Sequence, residues 1–450
     1  MEARKLAFEI LMAIKTEGAY SNNALNETFK NNELSSQDKG LVTEIVYGTL
    51  TNYNQLIYWL EPFFQGRIKE WIQILLAMTL YQTKYLEKIP QYAAINEAVK
   101  IAKNRGGSFN SKLVNAILRK VGDLEHLRDA DDLDDESEKL AITYSHPLWL
   151  VKLWIAQYGP GKTLEMLRAN NRKSPLVLRT NLDKIERKEL MFLLRNENID
   201  CHEGLLCTSS IIVKKGNPLN STAFKEGMFY IQDEASMLPA IALAPEKNHD
   251  VLDTCAAPGG KTLHLAEMVA EAGMVYAHDI HEHKISKIKE NAKRMDIHNV
   301  VASVCSALDL DKVYDRQSFK YVLVDAPCSG LGILRRHPEA KLTKKPGDID
   351  AIVKIQENIL QNASRFVKPG GRLVYSTCTV NKKENQRQIE FFLKNNTDFE
   401  LDLKLENRMP KVLKDNFEDG MLQLFPQDFE TDGFFIAALI KKEKRMNINE

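Results

Sequence analysis

Three short stretches of this chain carry residues able to do covalent chemistry. They are Asp253-Thr254-Cys255-Ala256-Ala257-Pro258-Gly259-Gly260-Lys261-Thr262, Asp325-Ala326-Pro327-Cys328-Ser329-Gly330 and Tyr375-Ser376-Thr377-Cys378-Thr379. Each follows a short apolar run: Val251-Leu252, Tyr321 to Val324, and Leu373-Val374. In an open α/β sheet the ligand crevice lies at the carboxyl ends of the strands. One glycine-rich loop and two cysteines are therefore expected to converge on one site. That combination predicts an enzyme rather than a binding module.

Two chemistries compete for the loop. A phosphate-binding P-loop needs G-x-x-x-x-G-K-[ST]; Gly260-Lys261-Thr262 fit its end, but Cys255 stands where the first glycine belongs. Pro258 also removes an N–H from a loop meant to cradle phosphate. The dinucleotide pattern G-x-G-x-x-G is absent. The other reading is an S-adenosyl-L-methionine site, in which a tight turn at Gly259-Gly260 lets the backbone approach a methionyl group. Asp279, ending the next apolar run, lies about 20 residues beyond the loop, the distance of ribose-binding acids in doubly wound folds. An aspartate there also suits the bland task of capping the following helix.

Cysteine is more often a small core residue than a nucleophile, and that reading holds for Cys201, Cys207 and Cys305. Cys328 and Cys378 differ because both are expected to end strands beside the glycine-rich loop. Carbon 5 of cytosine is not nucleophilic by itself. A thiolate adding to carbon 6 makes it enamine-like, and such covalent catalysis divides one difficult step into easier ones. A free thiol has a pKa of about 8.5, so nearby positive charge would help it ionise.

The elements that position these residues are legible from periodicity. Strand-like runs at Val251 to Asp253, Met274 to Asp279, Val300 to Val304, Tyr321 to Asp325 and Arg372 to Ser376 alternate with helical segments. This predicts a mostly parallel sheet with helices on both faces. Phe434 to Ile440 reads as a late strand at or near the sheet edge. Residues 141–247 mix helices with short strands, such as Leu176-Val177-Leu178 and Ile211-Ile212-Val213. Residues 1–122 read as helices, with Ala3, Ala7, Ile10 and Ile14 at helical spacing. Between these regions, Asp123 to Lys139 holds 9 acids and 2 bases, and a solvated linker is expected there.

The net charge is zero over 450 residues, yet residues 1–122 hold 15 Lys+Arg against 11 Asp+Glu, so a local nucleic-acid footprint is open. No apolar run approaches the roughly 18 residues of a membrane span. The first residues lack the pattern of a signal peptide. Six cysteines without a CxxC pair form neither a disulfide nor a zinc framework, so no metal is expected. A reduced, cytoplasmic protein is the expectation.

Cys-Ala-Ala-Pro-Gly-Gly-Lys-Thr, Asp-Ala-Pro-Cys-Ser-Gly and Ser-Thr-Cys-Thr, in this order, resemble the Sun/Fmu-type bacterial 16S rRNA cytosine-C5 methyltransferases. So do Tyr230-Ile231-Gln232-Asp233-Glu234-Ala235-Ser236 and Arg335-Arg336-His337-Pro338, while the helical first region is similar to the NusB family of RNA-binding antitermination factors. The resemblance implies four segments. They are an all-α NusB-like RNA-binding domain at 1–122, an acidic linker at 123–140, a small α/β connecting domain at 141–247, and a doubly wound Rossmann-like methyltransferase domain at 248–441. It implies methyl transfer from S-adenosyl-L-methionine to carbon 5 of a 16S rRNA cytosine, position 967 in the family, by a monomer acting on naked rRNA or an assembling subunit. Cys255, Ala256, Ala257, Pro258, Gly259, Gly260, Lys261, Asp279 and Asp325 would line the cofactor site. Cys378 would be the nucleophile, Cys328 would assist breakdown of the adduct, and Asp325 would bond the cytosine ring. The family's usual acid for the adenine amino group is absent here: ungapped alignment puts Ser306 at that position, with Asp309 three residues on, and either residue could accept that bond.

Arg335, Arg336 and His337, with Lys341, Lys344 and Lys345, follow the Cys328 loop and are candidates to hold phosphates, because base chemistry requires the target out of its stack. The rival functions are a P-loop NTPase acting on RNA and an inactive RNA-binding assembly factor; binding alone would require neither Cys328 nor Cys378.

Overall fold

A computed structural model describes residues 2–121, 127–270 and 272–443. The chain divides into two compact units: Met1–Lys173 with Leu334–Lys345, and Ser174–Ile333 with Pro346–Glu450.

The first unit is helical, with α1 (Glu2–Glu17), α2 (Ser21–Asn31), α3 (Ser36–Leu60), α4 (Glu70–Tyr85), α5 (Gln91–Val121), α6 (Glu136–Thr143) and α7 (Leu148–Asn170). The stripe on α1 buries Ala3, Leu6, Ala7, Ile10, Leu11 and Ile14 against α3 and α4. Helix α5 is kinked at Gly107 (φ 75°), a conformation a glycine adopts without a Cβ penalty. Of the acidic stretch, 123–126 lie outside the described residues. The remainder forms a 3-10 turn at Ala130–Asp132 and leads into α6, whose first turn is capped by Asp135.

Segment Leu334–Lys345 is locked into this helical unit. Glu339, 4% exposed, accepts hydrogen bonds from the Ser21 N–H (3.2 Å) and hydroxyl (2.9 Å) at the start of α2. Lys341, 2% exposed, donates to the Thr51 carbonyl of α3 (3.3 Å) and to Asn171 Oδ1 after α7 (2.7 Å). Its expected role as a phosphate contact is therefore corrected: its donors are used inside the fold. A burial pattern, not a charge run, decides its task.

The second unit contains two sheets. Strands β1 (Leu176–Thr180), β2 (Asp200–Glu203), β3 (Ser210–Lys215) and β4 (Phe229–Ile231) form an antiparallel sheet in the order β2-β3-β1-β4. The larger sheet contains β5 (Val251–Asp253), β6 (Val275–Asp279), β7 (Val300–Val304), β8 (Phe319–Asp325), β9 (Val367–Thr377), β10 (Phe399–Leu401), β11 (Phe417–Glu418), β12 (Met421–Leu424) and β13 (Phe434–Lys441). Its order is β11-β12-β13-β9-β8-β5-β6-β7, with β10 also on β13. The five strands β5 to β9 pair in parallel. The apolar strand β13 is antiparallel and interior, paired with β9 on one side and with β10 and β12 on the other. It is not an edge, and its unbroken apolar run is the mark of a strand buried on both faces.

Alternation along the strands splits these residues between two cores. Val251, Tyr321, Leu323, Val374, Phe434, Ile436 and Ala438 face one core, which the helices Glu234–Leu243 and Gly260–Val269 complete. Leu252, Val322, Val324, Leu373, Tyr375, Phe435, Ala437 and Leu439 face the other, under the helices Pro346–Ser364 and Gln386–Asn395. A period of two thus sends successive side chains to opposite helical layers. Burial on both faces holds the strand ends rigidly, as a precise site requires.

One consequence concerns Lys341, whose pKa burial lowers to about 7. Between pH 7 and 10 the unfolded chain keeps a proton there that the folded chain has lost, so this group makes stability rise with pH over that window, by up to about 1.4 kcal/mol per unit. Denaturant titrations of Lys341→Met and the native chain should show the native chain gaining on the variant as pH rises from 7 to 10. A constant difference would contradict this.

Candidate active site

Parallel pairing places Asp253, Asp279, Asp325 and Thr377 at the carboxyl ends of adjacent strands. The loop after β5 is tied down on both sides. Thr254 N–H bonds the Leu323 carbonyl of β8 (3.1 Å), and Ala256 N–H bonds the His278 carbonyl of β6 (2.8 Å). Gly259 N–H then closes a turn on the Ala256 carbonyl (2.8 Å). Gly259, at φ 105°, leads into the helix that starts at Gly260. A Cβ on Gly260 would lie 3.1 Å from the Tyr230 ring and 3.3 Å from Gln232, so Tyr230-to-Ser236 is the bed on which the loop rests.

Lys261 is not free to meet a phosphate. Its Nζ lies 2.8 Å from Asp325 Oδ2 and 3.0 Å from Ser236 Oγ. The other Asp325 oxygen accepts from Ser376 Oγ at 2.7 Å. Ser236 and Ser376 are site residues that composition and spacing did not single out; each is a plain serine whose task only the strand register reveals.

The electrostatics of the loop are acidic. Burial pushes the Cys255 thiol well above its ordinary range, and the charges of Asp253, Asp325 and Asp279 push it further. Burial also raises Asp253 to about 7, against the hydrogen bond from Thr262. The other two acids are paired: Asp325 with Lys261, and Asp279 Oδ1 with Lys284 Nζ at 3.7 Å. Asp279 Oδ1 accepts the His281 N–H at 3.1 Å, a turn just before the helix Glu282–Met295, whose first turn has no side-chain cap. Its Oδ2 has no hydrogen-bond partner among the described residues and remains available to a ligand's hydroxyls. The residues present therefore fit S-adenosyl-L-methionine.

Ser306 follows β7, and the Cys305 N–H just before it bonds the Asp279 carbonyl (3.1 Å), which keeps Ser306 beside the Asp279 end of the site. Its hydroxyl accepts the Leu308 N–H (3.2 Å). Asp309 pairs with Lys312 at 2.7 Å instead.

The two strand-end cysteines meet. Cys328 Sγ and Cys378 Sγ are 2.9 Å apart, both half-buried. Their loops are stitched by the Gly332 N–H to the Cys378 carbonyl (3.0 Å) and the Gly433 N–H to the Gly332 carbonyl (2.8 Å). A Cβ on Gly332 would sit 2.0 Å from the Gly433 carbonyl oxygen and 2.8 Å from that of Cys378, so only glycine allows this approach. The contact with Cys378 and burial, then the charges of Cys378 and Glu384, hold the Cys328 thiol well above its ordinary range. Cys201 is buried in the core of the smaller sheet, Cys207 in the core against which Cys378 also packs, and Cys305 packs on the core under β8.

Glu384 was not anticipated. It is fully buried, without an ion-pair partner among the described residues; it accepts the N–H and hydroxyl of Ser329, which follows Cys328, and through that hydroxyl is linked to Thr379, which follows Cys378. The only sequence signal is an acid six residues after Cys378, which alone says nothing.

Known proteins resemble this chain over nearly its whole length. Residues 240–440 match the family described as 16S rRNA methyltransferase RsmB/F, residues 1–123 the NusB family, and residues 146–220 a ferredoxin-like domain of RsmF/B-like methyltransferases. The chain is 42% identical over 441 residues to the probable ribosomal RNA small subunit methyltransferase B of Bacillus subtilis (strain 168), covering 98% of each. A crystal structure titled PH0851 superposes with a TM-score of 0.83 at 26% identity, over 97% of this chain and 99% of that one. A methyltransferase homolog from Pyrococcus horikoshii gives 0.58 at 26% identity, over 69% of this chain and all of that one.

The sulfur contact has a direct consequence. Diamide should link Cys328 to Cys378 before any other pair among the six cysteines, read by peptide mapping. Gly332→Ala should slow that linkage by about tenfold or more, since a backbone shift near 1 Å is enough to spoil a reactive geometry. An unchanged rate would mean that the stitch does not set the distance.

Proposed function

The chain belongs to the 16S rRNA methyltransferase RsmB/F family, and on that footing we propose that it methylates carbon 5 of one cytosine in 16S rRNA, the family position 967, through a covalent bond from Cys378 to carbon 6. The observation that carries this reading is the meeting of Cys328 and Cys378 beside Asp325. A binding protein or an NTPase has no use for two apposed thiols at the ligand crevice.

S-adenosyl-L-methionine is the cofactor and supplies an electrophilic methyl group on a sulfonium. Cys255 to Lys261 would hold it by backbone approach at Gly259-Gly260, Asp279 would accept its ribose hydroxyls, and Ser306 its adenine amino group. Asp325 completes that side of the crevice and, with Lys261 and Ser376 fixing its orientation, keeps lone pairs for the amino and ring N–H groups of the cytosine adduct.

The Cys378 thiolate adds to carbon 6 and makes carbon 5 nucleophilic. After carbon 5 has been methylated, a water molecule acting as base takes its proton, the C–H electrons form the carbon 5–carbon 6 double bond, and the carbon 6–sulfur bond breaks with its electrons on sulfur, which returns the ring to aromaticity. Cys328, held as a thiol 2.9 Å from the Cys378 sulfur, can donate S–H to the departing thiolate and so assist release. We assign the segments 1–122, 123–140, 141–247 and 248–441 to RNA recognition, linkage, connection and catalysis, an assignment that the three family matches support. The substrate is 16S rRNA, and we place the reaction in the cytoplasm.

Two measurements test the proposal. Cys378→Ala should form no covalent complex with a 16S rRNA fragment, while Cys328→Ala should accumulate one that survives denaturing gels; the reverse pattern would exchange their roles. Calorimetry should find S-adenosylhomocysteine binding without magnesium, weakened about tenfold or more by Asp279→Ala, as expected when a charged hydrogen bond of roughly 1.5–3 kcal/mol is removed. Magnesium-dependent ATP binding without a homocysteine signal would overturn the cofactor assignment.

A further inference from the structure

Glu384 is a buried carboxylate without an ion-pair partner among the described residues, and burying a charge is costly unless dipoles replace its water. Here they do. Oε2 accepts the Ser329 N–H at 2.8 Å and Gln356 Nε2 at 3.1 Å. Oε1 accepts Ser329 Oγ at 2.6 Å and Asn381 Nδ2 at 3.1 Å. Thr379 Oγ1 lies 2.9 Å from Ser329 Oγ and 3.5 Å from Oε1; with Ser329 donating to Glu384, Thr379 donates to Ser329.

The partners are the point. Ser329 follows Cys328, and Thr379 follows Cys378. Gln356 also reaches back to the Pro327 carbonyl (2.9 Å), on the other side of Cys328. The Glu384 carbonyl in turn accepts the Tyr375 hydroxyl (2.8 Å) on β9. One carboxylate therefore gathers the two loops that carry the thiols, and it does so with donors alone.

We infer that Glu384 is a positioning residue, which clamps the Cys328 and Cys378 loops to each other and thereby sets the sulfur–sulfur distance used in the release step. Its function in catalysis rests on the cytosine reading above; the clamp itself does not. The negative charge has a second effect in the same direction. It adds to the contact with Cys378 and to burial in keeping Cys328 a thiol, the form able to donate to a departing thiolate.

Glu384→Gln is the sharp test, because the amide keeps the shape but turns one oxygen into a donor facing donors. Three readouts on the full chain are compared with the native protein. Diamide linkage of Cys328 to Cys378, which needs no RNA, should slow about tenfold or more. Methylation of a 16S rRNA fragment should lose about 10²-fold in kcat with KM within about threefold, the scale expected from a misplacement near 1 Å. S-adenosylhomocysteine affinity should stay within about twofold, since the clamp lies outside the cofactor loop. Ser329→Ala removes one of the donors and leaves the backbone clamp, so it should show the same pattern at smaller size and answers the case in which Glu384→Gln does not fold. Linkage at the native rate in a folded Glu384→Gln would overturn the clamp, whatever the activity. Slowed linkage with kcat within about twofold of native would show that the sulfur distance is not used in turnover and would overturn the catalytic part. If the native protein forms no RNA adduct, the cytosine reading fails while the linkage result still decides the clamp.

Discussion

Parallel pairing of β8 with β9 sets Asp325 opposite Ser376, and the remaining geometry of the site follows from that register. A slip of one residue would turn every side chain of one strand to the other face. Because both faces are buried, such a slip would exchange the contents of two cores at once. Burial of Leu323 and Val374 on one side, and of Val324 and Tyr375 on the other, is therefore what fixes the site. Catalytic precision here is a by-product of packing.

From that register come two polar clusters with separate tasks. Lys261 and Ser376 hold the two oxygens of Asp325, which joins the glycine-rich loop to the strand that carries Cys378. Glu384 gathers the residues just past each cysteine. Between them the sulfurs come within 2.9 Å. The lysine that made the loop look like a P-loop is consumed by Asp325.

Much of this was legible from residue order, and the reasons are physical. Strands β5 to β9 stand out because parallel strands covered on both faces are nearly continuous apolar runs. The cysteines stood out because each ends such a run. Three things were not legible. The interior place of β13 depends on pairing between segments some 60 residues apart, β13 and β9, which periodicity cannot report. Lys341 sits in a charged stretch and looks solvated, yet it is buried by helices that precede it by more than a hundred residues. Glu384 is an acid among the polar residues Asn381, Lys382 and Lys383, and only the folded loops turn it inward.

The central claim is that the apposed thiols serve one methylation at carbon 5 of a 16S rRNA cytosine. Mapping of 5-methylcytosine across rRNA, in cells lacking this chain and in the same cells supplied with it, tests that claim most directly. The account predicts that one 16S cytosine loses its methyl group without the chain and regains it with the native chain but not with Cys378→Ala. An unchanged map, or full restoration by Cys378→Ala, would contradict it.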